Sequence, residues 1–127
     1  MAYCWTEIPG YSKFGIYQGN GQHSNNSFVD CGFKPAFVLY KKITGTDNWG
    51  MHDNKRDTIN PVKRFLYPDD TYAEWTGGTN DHMDFYSTGF KVQNSGTMIG
   101  ASSQKYVFMA FASHPGDSVY DVVTNAR

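Results

Sequence analysis

A chain of 127 residues and 14.3 kDa is one domain with room for a core that needs no staple of disulfides or metal. Aromatic residues make up 17% and charged residues only 18%, with 13 glycines, which disfavours long helices and favours a β domain with tight turns. The formal net charge of −1 excludes the basic excess that nucleic acid or an anionic membrane demands, and no apolar run approaches the ~18 residues of a bilayer span.

Taken in order, Ala2-Tyr3-Cys4-Trp5 predicts the end of a strand, followed by a turn at Ile8-Pro9-Gly10. The opening residues carry neither a basic n-region nor an apolar h-region, so a cytoplasmic site of synthesis is expected. Tyr11 to Tyr17 predicts a strand, and Gln18 to Asn26 is too rich in Gly and Asn for a regular element. Ser27 to Asp30 predicts a short strand, and Gly32-Phe33 a corner. Ala36 to Ile43 is a run of β-branched and aromatic residues between turn signals, which predicts a strand covered on both faces at the centre of a packed sheet. Trp49 to Asp53 reads as the returning strand of a hairpin, and the rest of the fold is expected to be built around that hairpin.

Asn54 to Pro61 is a charged connection, Val62 to Tyr67 a further strand, and Thr71 to Asp81 turn-like apart from Tyr72 and Trp75, which are expected to cap an open edge of the core. His82 to Tyr86 and Gly89 to Gln93 flank Ser87-Thr88, a tight hairpin signature. Lys105 to Ala112 predicts a second strand buried on both faces, paired with the one ending at Ile43. Eight or so short strands without an amphipathic helix imply an all-β fold, a two-sheet antiparallel sandwich of jelly-roll type. The expected boundaries are residues 1–116 for the sandwich and 117–127 for a C-terminal tail that docks on the domain or on a neighbouring subunit.

Cys4-Trp5-Thr6-Glu7-Ile8-Pro9-Gly10 lines up with Ala110-Phe111-Ala112-Ser113-His114-Pro115-Gly116. The same strand-and-exit device at both ends suits a module that joins to the next in a tandem array.

Gly10 to Gly21, Phe28 to Val38, Asp47-Asn48-Trp49, Asp53 and Arg56-Asp57 carry a resemblance that Tyr67-Pro68, Ala73-Glu74, Asp84-Phe85, Gly89-Phe90-Lys91 and Tyr106 to Ala112 extend along nearly the whole chain. Together these pieces resemble a β-rich module, often repeated, of tail-fibre and other virion structural proteins of tailed phages, cyanophages among them. The resemblance implies a non-enzymatic structural protein of the virion, assembled in the host cytoplasm. Its partners would be other copies of itself and other virion proteins. Because the module stands nearly alone, it implies a capsid decoration or tail-surface unit rather than a long fibre.

No catalytic, cofactor or metal site is expected. Cys4 and Cys31 lack CxxC spacing and predict free thiols. Asp30 beside Cys31 argues against an activated nucleophile. Asp81, His82 and Asp84 invite a metal or acid–base reading, with a solvated strand end as the plainer one, and Asp69-Asp70 predict a side-chain-stabilised turn. Arg56 is expected either to pair with Asp57 or to contact an assembly partner, with Val119, Tyr120, Val122 and Val123 as further assembly contacts. The alternative function is binding of host-surface carbohydrate, with Trp49, Tyr72 and Trp75 as an aromatic platform and Asp47, Asn48, Asn80 and Asp81 as hydroxyl partners.

Overall fold

The computed structural model describes residues 1–2, 4–76, 78 and 82–114. Alternation of apolar and polar residues, broken by Gly, Pro and Asn, yields eight strands: β1 (Ser12–Gln18), β2 (Phe28–Asp30), β3 (Pro35–Lys42), β4 (Trp49–Asp53), β5 (Phe65–Leu66), β6 (Met83–Tyr86), β7 (Gly89–Val92) and β8 (Lys105–Ala112). The described residues hold no helix. A five-stranded sheet runs β1-β8-β3-β4-β5 and a three-stranded sheet β2-β7-β6, with all pairings antiparallel. The two-sheet antiparallel sandwich expected from the sequence is the observed fold.

The core is an aromatic bridge between the sheets. Tyr17 stacks on Tyr106 at 5.0 Å within the larger sheet, while Phe90 of β7 meets Tyr17 edge-on at 5.9 Å and Phe108 at 5.4 Å. Edge-to-face rings at these separations add to the burial of large apolar area. A second column, Tyr40–His52–Phe65, stacks along the same inner face at 5.6 and 5.1 Å. Gly50 makes room for it, since a Cβ there would stand 2.3 Å from the Tyr40 ring. The predicted corner is a left-handed turn: Gly32 has φ +76°, Asp30 Oδ1 accepts its N–H at 2.9 Å, and Thr88 O accepts from both Cys31 N and Gly32 N.

Four expectations are corrected. β3 and β8 are covered on one face only: Val38, Tyr40, Tyr106, Phe108 and Ala110 are buried, while their alternates Phe37, Leu39, Val107, Met109 and Phe111 are half-buried. No described residue of Ala2 to Trp5 is in a strand; the N-terminal segment turns back through an isolated Ile8–Ser12 bridge. The strand expected over Val62 to Tyr67 shrinks to two residues and a separate Val62–Met83 bridge, because Asp57 takes the Lys63 and Arg64 N–H groups instead. Arg56 does not pair with Asp57; its guanidinium bonds Asp53 and, at 2.7 Å, Glu74.

Candidate functional site

Register decides which side chains share a face. Across the outer side of the five-stranded sheet, Phe14, Met109, Leu39, Met51 and Leu66 stand in one cross-strand row, one from each strand. On one side of it runs Ile16, Val107, Lys41 and Trp49; on the other, Ser12, Phe111, Phe37 and Asp53. Rows of this kind pack as slabs, neighbours in contact at about 5 Å. Phe14 and Phe37 both lean on Phe111 at about 6 Å, and Trp5 extends the slab by meeting Phe14 at 6.1 Å.

The eight strands are all accounted for, five in this sheet and three on its inner side; no described strand lies over the outer face. Ile16 is 61% exposed and Trp5 62%. Of the ionic residues in the outward alternation, Lys105 of β8 is exposed, while Lys41 and Asp53 have partners within the chain. Lys41 Nζ bonds the carbonyls of Asp47 and Lys42, and Asp53 accepts from Arg56 and from the backbone N–H of Lys55. Burial opposes ionisation of Asp53, but the Arg56 and Lys55 hydrogen bonds and the Arg56 charge prevail and hold its carboxyl below the usual 3.8.

The expected aromatic platform falls into two parts. Trp49 lies on the outer face opposite Lys41, beside a shallow depression of about 240 Å³ lined by Leu39, Pro68 and Asp69. Trp75 pairs with Phe65, whose side chain is on the inner side with His52. Tyr72 joins that group through Tyr67, at 5.4 Å. Tyr72 is 64% exposed and Trp75 37%. Asn80, Asp81, Val119, Tyr120, Val122 and Val123 lie outside the described residues.

Asp69 and Asp70 serve the turn and its neighbour. Asp69 Oδ1 accepts from Trp49 N at 3.0 Å, while the Asp70 carboxylate accepts from Thr71 N and from Asn48 Nδ2. His82 and Asp84 border a depression of about 310 Å³ that also takes in His23, Ser24 and Gln93. His23 and His82 meet edge-on at 6.3 Å, and Gln93 Nε2 donates to Asp84 Oδ2 at 2.6 Å. Among the described residues no group of three or more His, Cys, Asp or Glu is arranged to hold a metal ion. Cys4 is exposed and Cys31 buried, both with free thiols. Burial, seconded by the charge of Asp30, pushes the Cys31 thiol up to about 12, the opposite of what a thiolate nucleophile needs.

Sequence reading missed Asn26 and Asn94, both buried in the polar loops. Asn26 Nδ2 donates to Asn94 O and Gly100 O at 2.8 and 2.7 Å, and its Oδ1 accepts from Asn20 N and Ser27 N. Asn in a polar loop gives no signal of burial, because the partners are carbonyls far away in the chain. The outer slab was missed differently. Its signal is present, in that the middle alternates of β1, β3, β4 and β8 (Phe14, Leu39, Met51 and Met109) are apolar, but an apolar strand centre reads equally as one buried on both sides.

The arrangement defines a small β sandwich whose five-stranded sheet has an outer face with an apolar central row. The chain belongs to a family described as a domain of unknown function, DUF7483, whose model matches residues 1–115. No curated protein and no solved structure matches it.

Proposed function

We propose that this domain is a non-enzymatic structural module of a tailed-phage virion, a capsid decoration or tail-surface unit that works through contacts between subunits. The observation that carries the reading is the outer face of the five-stranded sheet, whose central cross-strand row is apolar from edge to edge. Contiguous apolar surface of this breadth on a small domain marks an interaction site. A modest contact repeated over a symmetric particle gains strength by avidity, so each single interface need not be tight. The resemblance of Tyr106 to Ala112 and of the Gly10 to Gly21 and Phe28 to Val38 stretches to modules of phage structural proteins supports the same reading. Mass spectrometry and electron microscopy of purified parent particles test it: the chain is expected in stoichiometric amount on the capsid or tail surface, and its absence there ends the proposal.

A glycan-binding role is the second reading, favoured by the exposure of Tyr72 and Trp75. An aromatic ring in solvent stacks on the apolar face of a sugar. Trp75→Ala should then abolish binding on a glycan array while leaving the fold unchanged. Failure of the unsubstituted domain to bind any glycan at about millimolar concentration, the weak end of specific recognition, removes this role.

A further inference from the structure

We infer that the outer face of the three-stranded sheet is a binding site for an uncharged oligosaccharide, with the Phe28 and Tyr86 rings as its floor and Asn25, Asp84 and Gln93 as hydroxyl partners. Its ligand class is that of the glycan reading above, on which it rests, and its surface is a different one from Trp75.

Alternation sets the face out. Val29, Phe85, Phe90 and Val92 are buried in the core, so Phe28, Asp30, Asp84, Tyr86 and Lys91 point outward. Register puts Phe28, Lys91 and Asp84 in one cross-strand row and Asp30, Gly89 and Tyr86 in the next. Gln93 extends the face, its N–H bonded to His82 O at 3.0 Å. Gly89 has no side chain to keep the edge strands apart. The Phe28 and Tyr86 rings meet across β7 at 6.2 Å while staying 48% and 41% exposed.

The polar groups are held in place beforehand. Gln93 Nε2 and Tyr86 Oη both donate to Asp84 Oδ2, at 2.6 and 3.2 Å, and Lys91 Nζ donates to Asn25 Oδ1 at 2.7 Å. Each bond engages one end of an amide or carboxylate, and the other end of such a group is what bonds a sugar hydroxyl. Groups fixed this way lose little rotamer freedom on binding. Beside them opens the depression of about 310 Å³ that Ser24, Asp84 and Gln93 help to line, at the lower end of the ~300–1,000 Å³ of small-molecule sites.

Three features select a sugar over other occupants. Charge stands in the middle of the face, in Lys91 and Asp84, where the core of a protein interface is depleted of it. Asp30 and Asp84 against Lys91 leave one excess negative charge, too little to hold a basic polymer and the wrong sign for nucleic acid or an acidic polysaccharide. A pair of rings bordered by amide and carboxylate groups matches a pyranose, which has a C–H face and a rim of hydroxyls.

The test is an NMR titration of the full, unsubstituted chain with uncharged tetrasaccharides of glucose, galactose, mannose and N-acetylglucosamine. Concentrations up to about 10 mM capture a Kd near 1 mM. At least one sugar is expected to move the backbone signals of Phe28, Asp84, Tyr86 and Gln93 and to leave those of Tyr72 and Trp75 still. Tyr86→Ala should weaken this binding about tenfold, Tyr86→Phe by less than about threefold because the ring stays, and Trp75→Ala not at all. The shifts in the unsubstituted chain decide the matter even if Tyr86→Ala does not fold. A panel that moves none of the four signals overturns the inference. So does binding that a folded Tyr86→Ala retains, or a face whose signals move with heparin or polylysine but with no sugar. Binding that Trp75→Ala abolishes and Tyr86→Ala spares retires this surface and leaves the glycan reading at Trp75 standing; the opposite pattern establishes this surface and retires that one.

Discussion

The two faces of the five-stranded sheet are made of the same kinds of residue on the same strands, yet only the inner one is sealed. Inside, Tyr17, Tyr40, His52, Phe65, Tyr106 and Phe108 are buried in the core shared with the three-stranded sheet, and two tyrosine hydroxyls are drawn into the structure: Tyr17 Oη donates to Ile99 O at 2.9 Å and Tyr106 Oη to Thr97 O at 2.8 Å. Outside, Phe14, Leu39, Met51, Leu66 and Met109 carry no hydrogen-bonding N–H or O–H on their side chains and lie under no described strand. Apolar character therefore does not by itself tell a core from a contact surface. The second layer makes that distinction, and it comes from residues far away in the chain.

The sharpest way to break the comparison is truncation on each side. Phe90→Ala removes a ring that is 0% exposed and touches both Tyr17 and Phe108; a loss of about 3–5 kcal/mol is expected. Leu39→Ala on the outer face removes a side chain that is only partly out of water, and about 1 kcal/mol should go. Urea denaturation at a concentration low enough to exclude association measures both. Equal losses would mean that the outer face is sealed after all.

Next comes the polar lock that closes the loop end of the inner layer. Asn26→Ala leaves the carbonyls of Asn94 and Gly100, and the N–H groups of Asn20 and Ser27, without their amide partner. A buried group so deprived costs about 1–3 kcal/mol, and hydrogen exchange should quicken around Ser27 and Gly100 while β3 stays protected. A uniform change over the whole chain would show that the loops are not a separate unit.

At the outer rim the effect is smaller. Arg56→Met removes the cation between Asp53 and Glu74, a half-exposed site where roughly 1 kcal/mol is at stake. Asp53 sits below its ordinary 3.8 in the fold. Its contribution is therefore present above that value and lost as the pH falls through the folded value. Wild type should lose stability on acidification more steeply than the variant, and parallel acid limbs in urea titrations from pH 6 to about pH 2 would refute the pairing.

Legibility in the sequence followed the same division. Strand positions were readable because turn residues mark them locally: Pro35 opens β3, Ser87-Thr88 joins β6 to β7, and Lys105 to Ala112 is β8 to the residue. The pairing of β3 with β8 was readable from their shared apolar character. What lay beyond reach depends on distant chain meeting distant chain. Asn26 finds Gly100, Arg56 finds Glu74 rather than Asp57, and Trp49 and Trp75 end on opposite sides of a sheet because β4 and β5 alternate. Residues alike in chemistry thus read as one platform that the pleat divides.

The smallest effect separates two thiols. Cys4 is exposed and Cys31 buried, so a thiol reagent at about pH 8, near the ordinary thiol range, should modify Cys4 rapidly and Cys31 only when the domain opens. Native stability at neutral pH is untouched by the Cys31 shift, because that thiol is protonated there in the folded and the unfolded chain alike. The alkaline limb tells more. Burial first, and Asp30 second, raise Cys31 from 9.0 to about 12 in the fold. Above 9 the unfolded chain releases a proton that the folded chain retains, so this contribution is complete below pH 9 and disappears as the pH climbs toward 12. Cys31→Ala should therefore flatten the fall of stability from about pH 9 to 11 relative to wild type, with other titrating groups common to both. Superimposable alkaline limbs, or two thiols reacting at one rate, would place Cys31 in contact with water and the Gly32 corner outside the sealed layer.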